Sequence, residues 1–236
     1  MKSLFLIFVL FFYFVAITLG QNNAESVNSI KVVNDSVFLI NDKISINTNA
    51  RSISLPAIFH KINGEIEVVL CTKKGKAYES LLTTEVTPVE LQTALLLLGY
   101  KSLENKVSGK NEIKNITQAD SVYLYIQWTD SNKIYDKSIE NFIWNMRDNA
   151  LLKPVSWFFN GLLTDVGGNI IGSEGVSMIV TNYDYTSVLS INKNVIFNDN
   201  IMGVHTNASG EDFYAAKADS FLLERKIYLI IRPAQY

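Results

Sequence analysis

One cysteine, two histidines and four prolines stand among 236 residues. The single thiol, Cys71, cannot form an intramolecular disulfide, so the fold has to rest on its hydrophobic core. Without a CxxC pair, iron–sulfur clusters and cysteine-type zinc sites are excluded. The two histidines, His60 and His205, show neither HxH nor HExxH spacing. Ser156, Ser173 and Ser177 sit in no G-x-S-x-G elbow. Gly167, Gly168 and Gly172 do not follow the strand–loop–helix pattern of a phosphate-binding loop. An excess of basic charge is missing too. With 21 Lys+Arg against 23 Asp+Glu the net charge is −2, which gives no field for nucleic acid or anionic lipid. Beyond Leu19 no segment offers the roughly 18 uninterrupted apolar residues of a membrane-spanning helix.

What is present begins with a targeting segment. Lys2 supplies a short positive region, Leu4 to Leu19 is almost wholly apolar, and Thr18-Leu19-Gly20 offers small residues flanking a cleavage point. Residues 1–20 are therefore expected to be a signal peptide, 21–29 a polar leader and 30–236 one domain. A retained anchor is the competing reading, although the apolar run falls short of the ~20 residues that span a bilayer. Gln21, not a cysteine, follows the cut, so lipid anchoring is not expected. The expected location is the periplasm or the exterior of a bacterial cell. Asn-x-Ser/Thr triplets at Asn34, Asn115 and Asn207 are chance matches in an Asn-rich chain.

The domain opens with short alternating runs at 30–33, 37–40 and 43–47, each bounded by Asn or Asp, as strands are. Residues 51–59 alternate again, with Pro56 marking an edge or a bulge. Asn63-Gly64 has the composition of a hairpin turn and leads into a strand at 65–71. The best-marked element is a helix at 88–98. Thr87 is a good N-cap, Pro88 fits the first helical position, and Glu90 completes a capping box. Gly99 stands where a left-handed residue ends a helix. Leu91, Ala94, Leu95 and Leu98 form its apolar stripe, extended by Leu96 and Leu97, so the helix is expected to be nearly surrounded by protein. Residues 101–118 read as a long polar loop, and 121–129 as a strand. Ile139, Phe142, Ile143 and Met146 have helical spacing and predict a second helix at 137–147. Further strands are expected at 155–159, 175–180 and 223–231, with turns at Asn160-Gly161 and at Gly167-Gly168-Asn169. The expected fold class is α+β: a mostly antiparallel sheet domain with a buried helix at 88–98 and a second at 137–147.

The run from Cys71 to Gly99, CTKKGKAYESLLTTEVTPVELQTALLLLG, resembles the core motif of the YdjY-domain family. The family pattern is a strand ending near a small residue or Cys, then K-x-H/Y-E-S-L, then a helix rich in A-L-L-L-L-G. Here these are Lys76, Tyr78, Glu79, Ser80, Leu81 and Ala94 to Gly99. Weaker likenesses follow at Trp157 to Gly161, where Leu162 replaces the family's Ser, at Glu174-Gly175 with Asp184, at Asn198-Asp199-Asn200, and at Leu229 to Pro233. The resemblance implies an exported or envelope protein without an assigned activity. No cysteine cluster is present to carry an iron–sulfur role.

Lys76, Tyr78, Glu79 and Ser80 are the candidate polar cluster. A Glu beside Ser, Lys and Tyr can bind a ligand or act as acid and base. Equally, a buried Glu can accept loop hydrogen bonds and hold a strand-to-helix crossover. Cys71 with His60 or His205 as base is a possible nucleophile, but its strand pattern makes it a small buried hydrophobe. Zinc at His60, His205, Asp199 and Asp212, or calcium at Asn198-Asp199-Asn200, is set against ordinary Asx turns. Tyr123, Tyr125, Trp128, Tyr135, Trp144, Trp157, Phe158, Tyr183 and Tyr185 can line a glycan face, but most belong in core or cross-strand pairs. The expected function is a non-catalytic exported domain that binds a ligand or envelope protein, without a cofactor. The alternatives are a hydrolase built on Glu79, Ser80, Lys76 and Tyr78, and a calcium- or zinc-dependent domain.

Overall fold

The structure is a computed structural model that describes residues 29–102, 120–162, 177–181, 187–191, 213–223 and 225–234. Strands β1 (Ile30–Asn34), β2 (Val37–Ile40) and β3 (Ile44–Asn47) form an antiparallel meander that leads into β4 (Ser52–Phe59). Asn41 and Asp42 turn β2 into β3 with φ of 49° and 54°, a left-handed backbone that Asn and Asp tolerate. Next come β5 (Asn63–Ile66), β6 (Val68–Thr72), β7 (Ser80–Thr84) and the helix α1 (Pro88–Leu97). Strands β8 (Ser121–Asp130), β9 (Lys133–Ser138), β10 (Ile143–Asn145), β11 (Ala150–Leu151) and β12 (Trp157–Phe159) follow. The rest of the chain contributes β13 (Ile179–Val180), β14 (Leu189–Ile191), β15 (Tyr214–Lys217) and β16 (Ile227–Pro233).

Eight of these strands close on themselves in the order β4-β16-β8-β12-β14-β13-β6-β7, with β7 returning to β4. The apolar positions explain the closure. Residues 53, 55, 57 and 59 of β4 and 122, 124, 126 and 128 of β8 are buried, while the residues between them are partly exposed. Together with Leu70, Leu82, Trp157, Leu229 and Ile231 they form one continuous core. The β6–β7 and β13–β14 ladders are parallel. Strands β1 to β3 and β9 extend the same large sheet beside β4 and β8, and the other four strands form a smaller sheet in the order β11-β10-β15-β5.

The fold is mostly β, with one α-helix among the described residues and an eight-stranded barrel. That corrects the expected α+β class. The expected second helix at 137–147 is absent. Lys137 and Ser138 finish β9, Ile139–Phe142 make a single 3-10 turn, and β10 begins at Ile143. The apolar spacing of Ile139, Phe142 and Ile143 fits one tight turn as well as it fits a helix. Ser138 provides no side-chain cap to start a longer one. Asn145 then accepts hydrogen bonds from the Arg147 and Asp148 backbone at 3.0 and 3.1 Å, which turns the chain instead of winding it.

Asn63-Gly64 does not make a hairpin either. Gly64 has a φ of 84°, but β4 and β5 belong to different sheets and β5 pairs with β15. The strand expected at 65–71 is divided at Glu67, its first part joining the small sheet and its second the barrel. Pro56 sits where β4 changes neighbours. On that side β3 pairs with residues 52–54 and β7 with 58–59, so no ladder partner there registers with Pro56.

Helix α1 starts with the full capping box. Thr87 accepts from the Glu90 backbone at 3.2 Å, and the Thr87 backbone donates to Glu90 Oε2 at 2.6 Å. It ends in a Schellman motif. Gly99, at φ 75°, donates to Leu96 at 2.9 Å, and Tyr100 donates to Leu95 at 3.1 Å. Leu91, Ala94, Leu95 and Leu98 are buried, whereas Leu96 and Leu97 are half-exposed, so protein covers one side of the helix only.

Candidate functional site

The candidate cluster lies in the link between β6 and β7. These strands are parallel neighbours, with Val68 opposite Ser80 and Thr72 opposite Thr84. A parallel pair ordinarily needs a crossover of a dozen or more residues. Here Thr72 ends one strand and Ser80 starts the next, leaving the seven residues Lys73 to Glu79. Within that length the chain has to travel back along β6 before it can run forward again.

Within the basic turn Lys73-Lys74-Gly75-Lys76 and the polar run after it, Gly75, Lys76, Ala77, Glu79 and Ser80 serve that return. Gly75 stands at the tightest point, where a Cβ would lie 3.2 Å from Cys71 Cβ and 3.3 Å from the Thr72 carbonyl oxygen. The Gly75 N–H donates to Thr72 at 2.9 Å and the Ala77 N–H to Gly75 at 2.8 Å. Ala77–Glu79 forms a 3-10 turn. The Ser80 hydroxyl, fully buried, donates to the Lys76 carbonyl at 2.7 Å and lies 3.0 Å from Cys71 Sγ. The Glu67 N–H donates to the Glu79 carbonyl at 3.0 Å, fastening the turn to the start of β6.

The Lys76 ammonium stands 2.9 Å from Glu79 Oε1. That contact is the largest influence on Lys76 and raises its pKa above the ordinary value, against the opposing effect of burial. Oε1 itself is buried and, among the described residues, receives no well-aligned hydrogen bond, so the pair is held by charge and proximity. Lys76, Glu79 and Ser80 are thus brought together. Tyr78 is not: its side chain is 70 % exposed.

Cys71 is inaccessible, and burial pushes its thiol pKa up, with the nearby Glu79 charge adding to the rise and the Ser80 hydroxyl opposing it. A thiol that resists ionisation is a poor nucleophile. His60 is exposed at the end of β4, with its backbone N–H on the Leu81 carbonyl at 2.9 Å. His205, Asp199, Asp212, Asn198, Asn200, Tyr183, Tyr185 and the turn at Gly167-Gly168-Asn169 lie outside the described residues. Among the described residues, no group of three His, Cys, Asp or Glu side chains is placed to hold a metal ion. No helix among them is long and apolar enough to cross a membrane.

Trp128, Tyr135, Tyr125, Trp144, Trp157 and Phe158, among the candidate aromatics, serve packing and contacts between strands. Trp157 and Phe158 are buried. Trp128 stacks on Tyr135 across the β8–β9 ladder, with ring centroids 5.0 Å apart. Arg232 lies 4.3 Å above the Tyr125 ring and pairs with Asp136. Lys217 lies 3.6 Å above Trp144. Sequence reasoning missed Gly75 and Glu67 as parts of the cluster. The signal for Gly75 was its place between lysines in a turn; for Glu67, whose backbone makes the contact, there was none.

These features define a class of protein: a mostly-β barrel in which a basic turn and a short polar run close an abbreviated parallel crossover. The YdjY domain matches residues 44–197, and the chain belongs to that family. The matched stretch contains the whole crossover and α1. It leaves β1, β2, β15 and β16 outside. Comparison with curated proteins and with solved structures finds no match.

Proposed function

We propose that this YdjY-domain protein is exported and works without catalysis, binding a ligand or a protein partner in the cell envelope. The observation that carries this reading is the commitment of Ser80 and Glu79 to the crossover. The Ser80 hydroxyl is buried and spends its proton on the Lys76 carbonyl. A nucleophilic serine instead needs access to substrate and an adjacent base. Glu79 faces Lys76 within its own turn. Lys76 and Tyr78 both reach solvent, but the Lys76 ammonium is engaged by Glu79, and this reading assigns Tyr78 to the contact with a partner. Export is supported by the charged start, apolar stretch and small residues of positions 1–20.

Two measurements test the proposal. The purified protein is assayed against chromogenic esters, phosphoesters, glycosides and peptides, beside Ser80→Ala and Glu79→Gln. The expected result is no turnover that depends on either side chain. Turnover lost in Glu79→Gln at unchanged folding would establish the hydrolase instead. After expression of the full chain in a bacterial host, N-terminal sequencing of the exported fraction is expected to begin at Gln21. A chain that keeps Met1 and stays in the cytosol contradicts export.

A further inference from the structure

We infer that the cleft over the closing seam of the barrel is a binding site for a small carboxylate anion carried on a short aliphatic body. The cleft exists because β4 changes neighbours there. The registered pairs with β3 end at Ser54 and those with β7 start at Ile58, so no strand pairs with β4 between them on that side. The gap measures about 120 Å³ and opens to solvent. Pro56 and Ile58 line it from β4, Thr83 from β7, Lys73 and Glu85 from the residues that follow β6 and β7, and Lys226 from the residue that precedes β16.

What this lining offers decides the ligand. Pro56 has no N–H, and its carbonyl already accepts from the Thr84 hydroxyl at 2.6 Å, so it presents apolar surface and no backbone donor. Glu85 is engaged: the Lys73 ammonium stands 2.6 Å from its carboxylate. Lys226 is not. Among the described residues it has no carboxylate partner, and its ammonium lies 5.5 Å from the ring of Tyr228, the residue that registers with Pro56. Thr83 is also unsatisfied. Only 1 % of the residue is exposed, yet among the described residues its hydroxyl makes no hydrogen bond, and it lines the cleft. A buried hydroxyl without a partner is costly, and a ligand oxygen removes that cost. An unpaired ammonium and an unpaired hydroxyl beside an apolar surface match a carboxylate. One oxygen takes the Lys226 ammonium, the other accepts from Thr83, and the aliphatic carbons cover Pro56 and Ile58. A cationic ligand is disfavoured, because Lys73 and Lys226 outweigh Glu85 in the lining. The site goes beyond the proposed function, since Tyr78, Glu79 and Ser80 are not among its lining residues.

Isothermal titration of the purified protein with butyrate, butylamine and inorganic phosphate tests the inference. Butyrate is expected to bind saturably in the millimolar range, and butylamine not at all. Phosphate has no carbons to cover Pro56 and Ile58 and should bind more weakly than butyrate. Lys226→Glu reverses the charge of an exposed side chain and should weaken butyrate binding about tenfold or more at unchanged Tm. Thr83→Val keeps the branched shape, removes the hydroxyl and should also weaken it about tenfold. If Thr83→Val fails to fold, Lys226→Glu decides. A wild-type protein that binds no butyrate overturns the inference and leaves the reading of Ser80 and Glu79 standing. Equal binding of butyrate and butylamine overturns it too, as does phosphate binding tighter than butyrate. So does butyrate binding that is undiminished in folded Lys226→Glu or folded Thr83→Val.

Discussion

Glu90 shows how one residue can tie three elements together. It caps the first turn of α1, accepts from the Asn41 side chain at the β2–β3 turn, and stands 3.7 Å from the Lys43 ammonium. Burial alone would raise its pKa. The hydrogen bonds from Asn41 and from the Thr87 backbone and side chain, together with Lys43, outweigh that and hold the carboxyl below its ordinary value. A depressed carboxyl pKa contributes stability that is present above the unfolded value of about 4.3 and is lost as pH falls through the folded one. Thermal unfolding of the wild type and of Glu90→Gln, followed from neutral to acid pH, should therefore show a wild-type advantage that disappears at the acid end. An advantage independent of pH would mean that the charge of Glu90 plays no part. Ser80 and Cys71 make the opposite point. Nucleophilic side chains at the heart of a family motif are here a buried donor and a buried thiol.

At the scale of elements, legibility followed local chemistry. The limits of α1 were readable because Thr87, Pro88, Glu90 and Gly99 act on their own neighbours. The alternation in β4 and β8 was readable because each strand has one face in the core. The fate of Ile139 to Met146 was not, since its apolar spacing suits a single 3-10 turn as well as a helix, and pairing with β15 decides between them. Asn63-Gly64 misled for a related reason. Its composition fits a hairpin, but the partner of β5 is β15, some 150 residues further along the chain. The candidate cluster was legible as a polar run after a strand. Its role was not, because that depends on β6 and β7 being parallel neighbours, a fact of topology with no local signature.

The barrel as a whole depends on two joints that the sequence does not announce. One is β16, the neighbour of both β4 and β8, through five and six registered residue pairs. It lies beyond the matched YdjY region, which ends at residue 197. A chain cut after residue 197 therefore loses the strand between β4 and β8, and should show no cooperative thermal transition by circular dichroism. A sharp transition near the full-length Tm would show that the barrel does not need β16.

The other joint is the closing seam, where β7 meets β4 through two registered pairs, Ile58 with Thr83 and Phe59 with Leu82, flanked by the His60 N–H on the Leu81 carbonyl and the Thr84 hydroxyl on the Pro56 carbonyl. So short a seam needs β7 held in place from its other side, where the parallel ladder with β6 holds it and the Lys73-to-Ser80 return joins the two strands. Loosening the return should weaken the whole barrel and not just a loop. Thermal unfolding of Ser80→Ala measures this most directly. Losing the buried hydrogen bond to the Lys76 carbonyl should cost about 1–3 kcal/mol and lower the global Tm by several degrees in one cooperative transition. An unchanged Tm in Ser80→Ala would contradict the account.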